Sequence, residues 1–212
     1  MVDMVLCMLF VKGALMGFSI AAPVGPIGII CIRRTLSHGI INGFVSGLGA
    51  ASADACYGMI AAAGLTSLAS LLVDNASLMR SGGGVFLIYL GIKTLMTRKT
   101  SMTNKPGSPV PGVLARSFTS VFFLTLANPM TIISFTAIFA GLGLGTGSGS
   151  LHLAIFLVIG VFSGSAVWWF ILSSLFGLVK LKMTEAVMFW INRISGIIIS
   201  IFGITAIGSL CF

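Results

Sequence analysis

The sequence predicts an all-α integral membrane protein of six transmembrane helices, arranged as two inverted three-helix repeats with helices 1 and 4 interrupted at proline motifs. Three observations lead there: a composition suited to a bilayer, basic charge confined to alternate junctions, and a helix break that occurs twice. Hydrophobic residues make up 57% of the 212 and charged residues 8%, whereas a soluble domain carries about a quarter charged. The mean hydropathy is +1.14. In lipid every backbone N–H and C=O needs an internal partner, which leaves helices or a closed barrel. Period-2 alternation is absent, so helices are expected.

Apolar runs of about 20 residues cross a bilayer core of about 30 Å. Here they fall at about 4–32, 39–66, 79–97, 113–143, 151–178 and 187–210. The chain reads as a single transmembrane domain over 1–212: repeat 1 at about 4–97, a cytoplasmic linker at 98–112, and repeat 2 at about 113–210. Residues 4–22 have the apolar character of a signal-peptide core, but Asp3 is the only early charge and Lys12 interrupts the run. They are assigned to helix 1.

Lys and Arg accumulate in cytoplasmic loops. The junction after span 1 holds Arg33, Arg34 and His38; that after span 3 holds Arg98, Lys99 and Lys105; that after span 5 holds Lys180 and Lys182. The other two hold Asp74 with Arg80, and His152 beside the glycine-rich "GLGLGTGSGS". Both termini are therefore expected on the outer face. Arg33 and Arg34 read as anchors at the inner end of helix 1, with a direct substrate contact as the alternative. The net charge of +8 belongs to these anchors, because no basic stretch is interleaved with aromatics as a nucleic-acid surface would be.

Helix 1 breaks at "APVGPIGIICIRR" (22–34), and helix 4 repeats the device at "LANPMTIISF" (126–135). Gly25-Pro26 and Asn128-Pro129 lie 103 residues apart; Gly84 and Gly91 precede Gly196 and Gly203 by 112. Three spans per half is an odd number, so the halves are inverted. Proline interrupts a helix yet suits the first turn of a new one, and Asn or Gly caps it. Each break is expected to expose a half-helix N-terminus near mid-membrane, where N–H groups and the helix dipole favour an anion such as a carboxylate. A structural proline kink is the plainer reading of either break alone; the matched pair favours a binding site.

Asp54 is the one carboxylate deep within a span, where its insertion costs about 3 kcal/mol. Gly43, Gly47, Ala51, Asp54 and Gly58 recur at steps of three or four and form one small-residue face, so Asp54 points into the protein. It is a candidate for a substrate ammonium or a coupling proton, against a purely structural carboxylate. Tyr57 and Ser46 lie within one or two turns of Asp54 as candidate partners. Ala166, its approximate counterpart in the second half, is apolar, and Trp168 and Trp169 follow it. The candidate substrate-binding set is Pro23, Gly25, Pro26, Asp54, Tyr57, Asn128, Pro129 and Thr131. Cys7, Cys31, Cys56 and Cys211 form no C-x-x-C pair and read as small buried hydrophobes. No metal cluster, cofactor motif or nucleophile–base set is legible, so an enzyme is not expected.

These residues resemble the LysE-type amino-acid exporter family. The family's Gly-Pro motif, basic pair and helix-2 glycines appear in "APVGPIGIICIRRTLSHGIINGFVSGLGAASADACYG", its "YLGxK" as "IYLGIKTL" and its "NP" as "LANPMTIISF". The resemblance implies export of amino acids or related small zwitterionic metabolites across the bacterial inner membrane, driven by the proton gradient. By position it falls on Pro23, Gly25, Pro26, Asp54, Asn128 and Pro129. Two positions depart from the family: Val24 separates Pro23 from Gly25, and Met130 stands where Lys is common. The plan is also similar to that of transmembrane thiol-electron carriers, but Val24 and Met130 follow the prolines where those need a cysteine, and Cys31 has no partner in helix 4. A cation or metal-ion pathway is the alternative function; one deep carboxylate and no Cys/His set is thin material for it.

Overall fold

A computed structural model describes residues 2–62, 75–96, 111–128, 131, 135, 151–180 and 184–209. Seven helices and no strand lie among them: α1 (Val2–Ala21), α2 (Pro26–His38), α3 (Ile40–Ala62), α4 (Ala76–Leu95), α5 (Pro111–Leu126), α6 (Leu151–Lys180) and α7 (Glu185–Gly208). Three are long and apolar enough to cross a membrane, over Asp3–Ala21, Ala154–Val179 and Phe189–Gly208. Shorter apolar helices occupy Ser81–Leu95 and Gly112–Leu126. α3 is long enough, but Asn42, Ser46, Ser52 and Asp54 lower its apolar character, and it falls outside that set.

The first span is interrupted where expected, as α1 and α2. Its end is not. The sequence reading ends the span at about 32 and puts the basic residues at the junction beyond it, yet Arg33, Arg34 and His38 all lie within α2. Nothing in "RRTLSH" opposes a helix, and only Gly39 stops it, with φ 94°. That backbone conformation suits glycine, so a single residue turns α2 into α3. The expected linker 98–112 lies outside the described residues except for Pro111 and Gly112, which open α5.

Glycines set how closely the helices approach. α1 lies on α6 along Gly13 and Gly17 facing Gly160 and Gly164. A Cβ on Gly17 would enter the Val161 carbonyl, and one on Gly164 the Ala14 carbonyl. Without an apolar driving force in lipid, such backbone-to-backbone packing is what joins helices. α4 and α7 meet in the same manner. A Cβ on Gly84 would lie 3.0 Å from the Gly203 carbonyl oxygen, and one on Gly91 2.9 Å from that of Gly196. The residue pairings make α4 and α7 antiparallel and α1 and α6 parallel.

α3 is central, packed against α2, α5 and α6. Gly47 makes room for the Trp169 ring on α6, and Gly49 for the backbone of α5 near Phe118. The small-residue face read from sequence is the one that packs: Gly43, Gly47, Ala51, Asp54 and Gly58 are all buried. Around it Ile27, Ile30 and Cys31 of α2, Val121 and Leu124 of α5, Leu172 of α6 and Ile199 of α7 form one apolar core. Cys31 is fully buried, as expected, whereas Cys7 and Cys56 face outward; Cys211 lies outside the described residues. A surface position on a lipid-facing helix suits a small apolar thiol as well as a core does.

Candidate functional site

The first break has the geometry that its proline requires. Ala22 N–H closes α1 on the Phe18 carbonyl at 2.9 Å, and Gly25 N–H turns back to the Pro23 carbonyl at 2.9 Å. Gly25 is the N-cap in extended conformation, with no side-chain cap, and Pro26 is the first helical residue. Ile29 N–H makes the first intrahelical bond of α2, to the Gly25 carbonyl at 3.1 Å. The Ile27 and Gly28 N–H groups precede that bond, and they carry the positive end of the α2 dipole.

The second break follows α5. Asn128 N–H bonds the Thr125 carbonyl at 3.1 Å in a tightened last turn, and Thr131 N–H bonds the Asn128 carbonyl at 3.1 Å. Thr131 and Phe135 are helical again. Pro129 lies outside the described residues.

Both breaks border one cavity of about 670 Å³. Of the candidate residues, Pro23, Gly25, Pro26, Asn128 and Thr131 line it. Sequence reasoning missed the opposite wall: Gly83 and Gly84 of α4, with Thr205 and Ser209 of α7. The available signal was two hydroxyl residues at the end of the last apolar helix, beside the matched glycines. The volume lies within the range of small-molecule sites, and the wall is mainly apolar with a few polar groups.

Asp54 and Tyr57 are not among the lining residues. Asp54 is buried where α3 crosses α6. Ser165 donates to its Oδ2 at 2.8 Å, and Trp169 Nε1 donates to Ser165 Oγ at 3.1 Å. This relay joins a carboxylate to the interior across the two helices. Tyr57, one turn along α3, is buried against Phe135, Met16 and Leu157, and its hydroxyl donates to the Leu126 carbonyl. Leu126 is the last residue of α5, so Tyr57 satisfies one of the carbonyls that a helix end leaves over. It braces the second break from behind.

Ser46 does not join Asp54; it belongs to a polar node around Arg34. One terminal nitrogen of Arg34 donates to Ser46 Oγ at 3.0 Å and to the Ser117 carbonyl at 2.7 Å, and the other to Ser120 Oγ at 2.8 Å. Ser117 Oγ donates to Asn42 Oδ1 at 3.0 Å. Arg34, read from sequence as an anchor, thus ties α2 to α3 and α5. Its partners lie 12 to 86 residues away and include a main-chain carbonyl, which no spacing rule reveals. Arg33 does otherwise: its Nε is buried without a hydrogen-bond partner.

The LysE type translocator family model matches residues 18–209. A protein of Bacillus subtilis (strain 168) named "Putative amino acid efflux protein YcgF" is 24% identical over 92% of this chain and 93% of its own. A leucine efflux protein of Klebsiella pneumoniae subsp. pneumoniae is 27% identical over 58% of this chain and 57% of its own. An uncharacterized membrane protein of Escherichia coli (strain K12), YahN, is 26% identical over 84% and 79% respectively. No solved structure matches the chain.

Proposed function

The chain belongs to the LysE type translocator family, and from that premise we propose that it is a secondary exporter of amino acids or related zwitterionic metabolites across the bacterial cytoplasmic membrane. It is a membrane transporter and not an enzyme. The observation that carries the finer reading is that both helix breaks border one and the same cavity. A substrate carboxylate fits at the Ile27 and Gly28 N–H groups, where the helix dipole supplies positive charge without a cationic side chain. Asn128, Thr131 and Thr205 offer the neutral polar contacts that orient it, with the rest of the wall apolar.

Two crossed contacts support the inverted-repeat reading. Gly84 and Gly91 were matched in sequence to Gly196 and Gly203, and each meets the counterpart of the other: Gly84 with Gly203, Gly91 with Gly196. Pairing of that reciprocal kind is what a two-fold axis relating the halves would give. α1 beside α6 and α3 beside α5 then form equivalent parallel pairs, as alternation of six spans demands. On this reading both termini face outward, and rocking of the repeats alternates access.

Asp54, buried at the α3–α6 crossing and outside the cavity lining, acts as the coupling group: it exchanges a proton through the Ser165 contact as that crossing shifts. The test is counterflow in loaded proteoliposomes with labelled amino acids, leucine first. Wild type is expected to accumulate label and to lose net uphill export when the pH gradient is collapsed. Asp54→Asn is expected to keep exchange and lose the gradient dependence. Unchanged gradient dependence in Asp54→Asn removes the coupling role, and absence of counterflow for every amino acid removes the cargo class.

A further inference from the structure

The Arg34 node differs in kind from the glycine seams described above, and it ties three helices where the Asp54–Ser165 and Tyr57–Leu126 bonds each tie two. α1 with α6 and α4 with α7 are joined by glycine backbones fitted together, contacts that water cannot replace. α2 packs chiefly on α3, α6 and α7, and its polar link to α5 is one guanidinium with two hydrogen bonds there and a third to α3. The node also has a defined place. The cavity lies at the N-terminal end of α2, at Pro26 and Ile27. Arg34 is eight residues on, about 12 Å along the axis. Between them lies the apolar plug of Ile27, Ile30, Cys31, Val121 and Leu124. The described cavity reaches Ser209 at the C-terminal end of α7, on the other side of that plug.

We propose that Arg34 is the latch of an inner gate: its bonds to Ser46, the Ser117 carbonyl and Ser120 hold α2 against α3 and α5, and their release opens the path from the cavity to the cytoplasmic side. The chemistry suits a latch. Hydrogen bonds to water replace those to hydroxyls and a carbonyl at small net cost, and the planar fork holds three acceptors on two helices in one fixed arrangement, which a lysine ammonium does not reproduce. The inference rests on the alternating-access reading, and no part of it depends on the cargo.

Cys31 reports on the latch. It lies just inside the node, fully buried, with its carbonyl accepting from Thr35 Oγ1 at 2.9 Å. In a background of Cys7→Ser, Cys56→Ser and Cys211→Ser, Cys31 is the remaining thiol. The probe is a membrane-impermeant maleimide applied to inside-out vesicles. Loss of charge-assisted bonds is expected to raise the Cys31 labelling rate about tenfold or more in Arg34→Gln, and a few-fold in Ser120→Ala. A second reporter, Thr205→Cys in a chain lacking all native thiols, lines the outer part of the cavity. Its labelling from right-side-out vesicles is expected to fall in the same two variants, because opening one gate depopulates the other state.

A Cys31 rate unchanged in both variants overturns the latch. So does faster labelling of both reporters, which is what a merely structural staple gives when removed. Where Arg34→Gln is not recovered as a monodisperse protein, Ser120→Ala decides. Opposite changes at the two reporters without amino-acid counterflow would leave the latch standing and remove only the cargo.

Discussion

Gly164 and Gly25 are the same residue in opposite surroundings. At Gly164, in the α1–α6 seam, an added Cβ would enter the backbone of Ala14; at Gly25, in the first break, nothing lies within 4 Å of where it would stand. One glycine is there because a neighbour is too close, the other beside a space with no neighbour at all. The seam holds the bundle together, and the break borders the cavity. A small side chain alone does not tell these apart; its surroundings do.

Three substitutions break or sharpen that contrast. The largest effect on stability is expected from Gly164→Ala, since the α6 backbone cannot move without separating from α1: about 2–3 kcal/mol from overpacking, read as a fall in the thermal unfolding midpoint in detergent. Gly39→Ala is intermediate. No neighbour within 4 Å opposes a Cβ there, but its φ of 94° does, so about 1–2 kcal/mol of backbone strain is expected. Gly25→Ala is expected to alter stability least, within about 0.5 kcal/mol, while transport falls because a methyl group enters the cavity. Unfolding and counterflow measured on the same sample check that dissociation; a large loss of stability with normal transport would reverse the assignment.

The parts of the fold that proline, glycine and one buried charge dictate were legible in the sequence. Pro26 requires a helix start, and α2 starts there. Asp54 cannot face lipid, and the small residues in register with it identified the buried face. The second break was legible as well, although Pro129 itself lies outside the described residues. Less legible was whatever depends on which distant helix stands opposite. Ser165 is one of four serines in a long apolar helix, and its value comes from facing Asp54. Arg34 obeys the same positive-charge rule as Arg33, and only tertiary placement separates a bonded guanidinium from one with a buried, unpartnered Nε. The α7 wall of the cavity went unread for a related reason: Thr205 and Ser209 are common helix-end residues until another helix break is placed against them.

The one-residue corner at Gly39 has a mechanical consequence. With its fulcrum there, α2 is a lever arm of 13 residues, about 20 Å long, whose far end is the cavity wall at Pro26. A rotation of about 10° at the corner carries that wall through about 3 Å, while the short arm at Arg34 travels little more than 1 Å. Displacements too small to disturb the glycine seams are thus magnified where the substrate would lie.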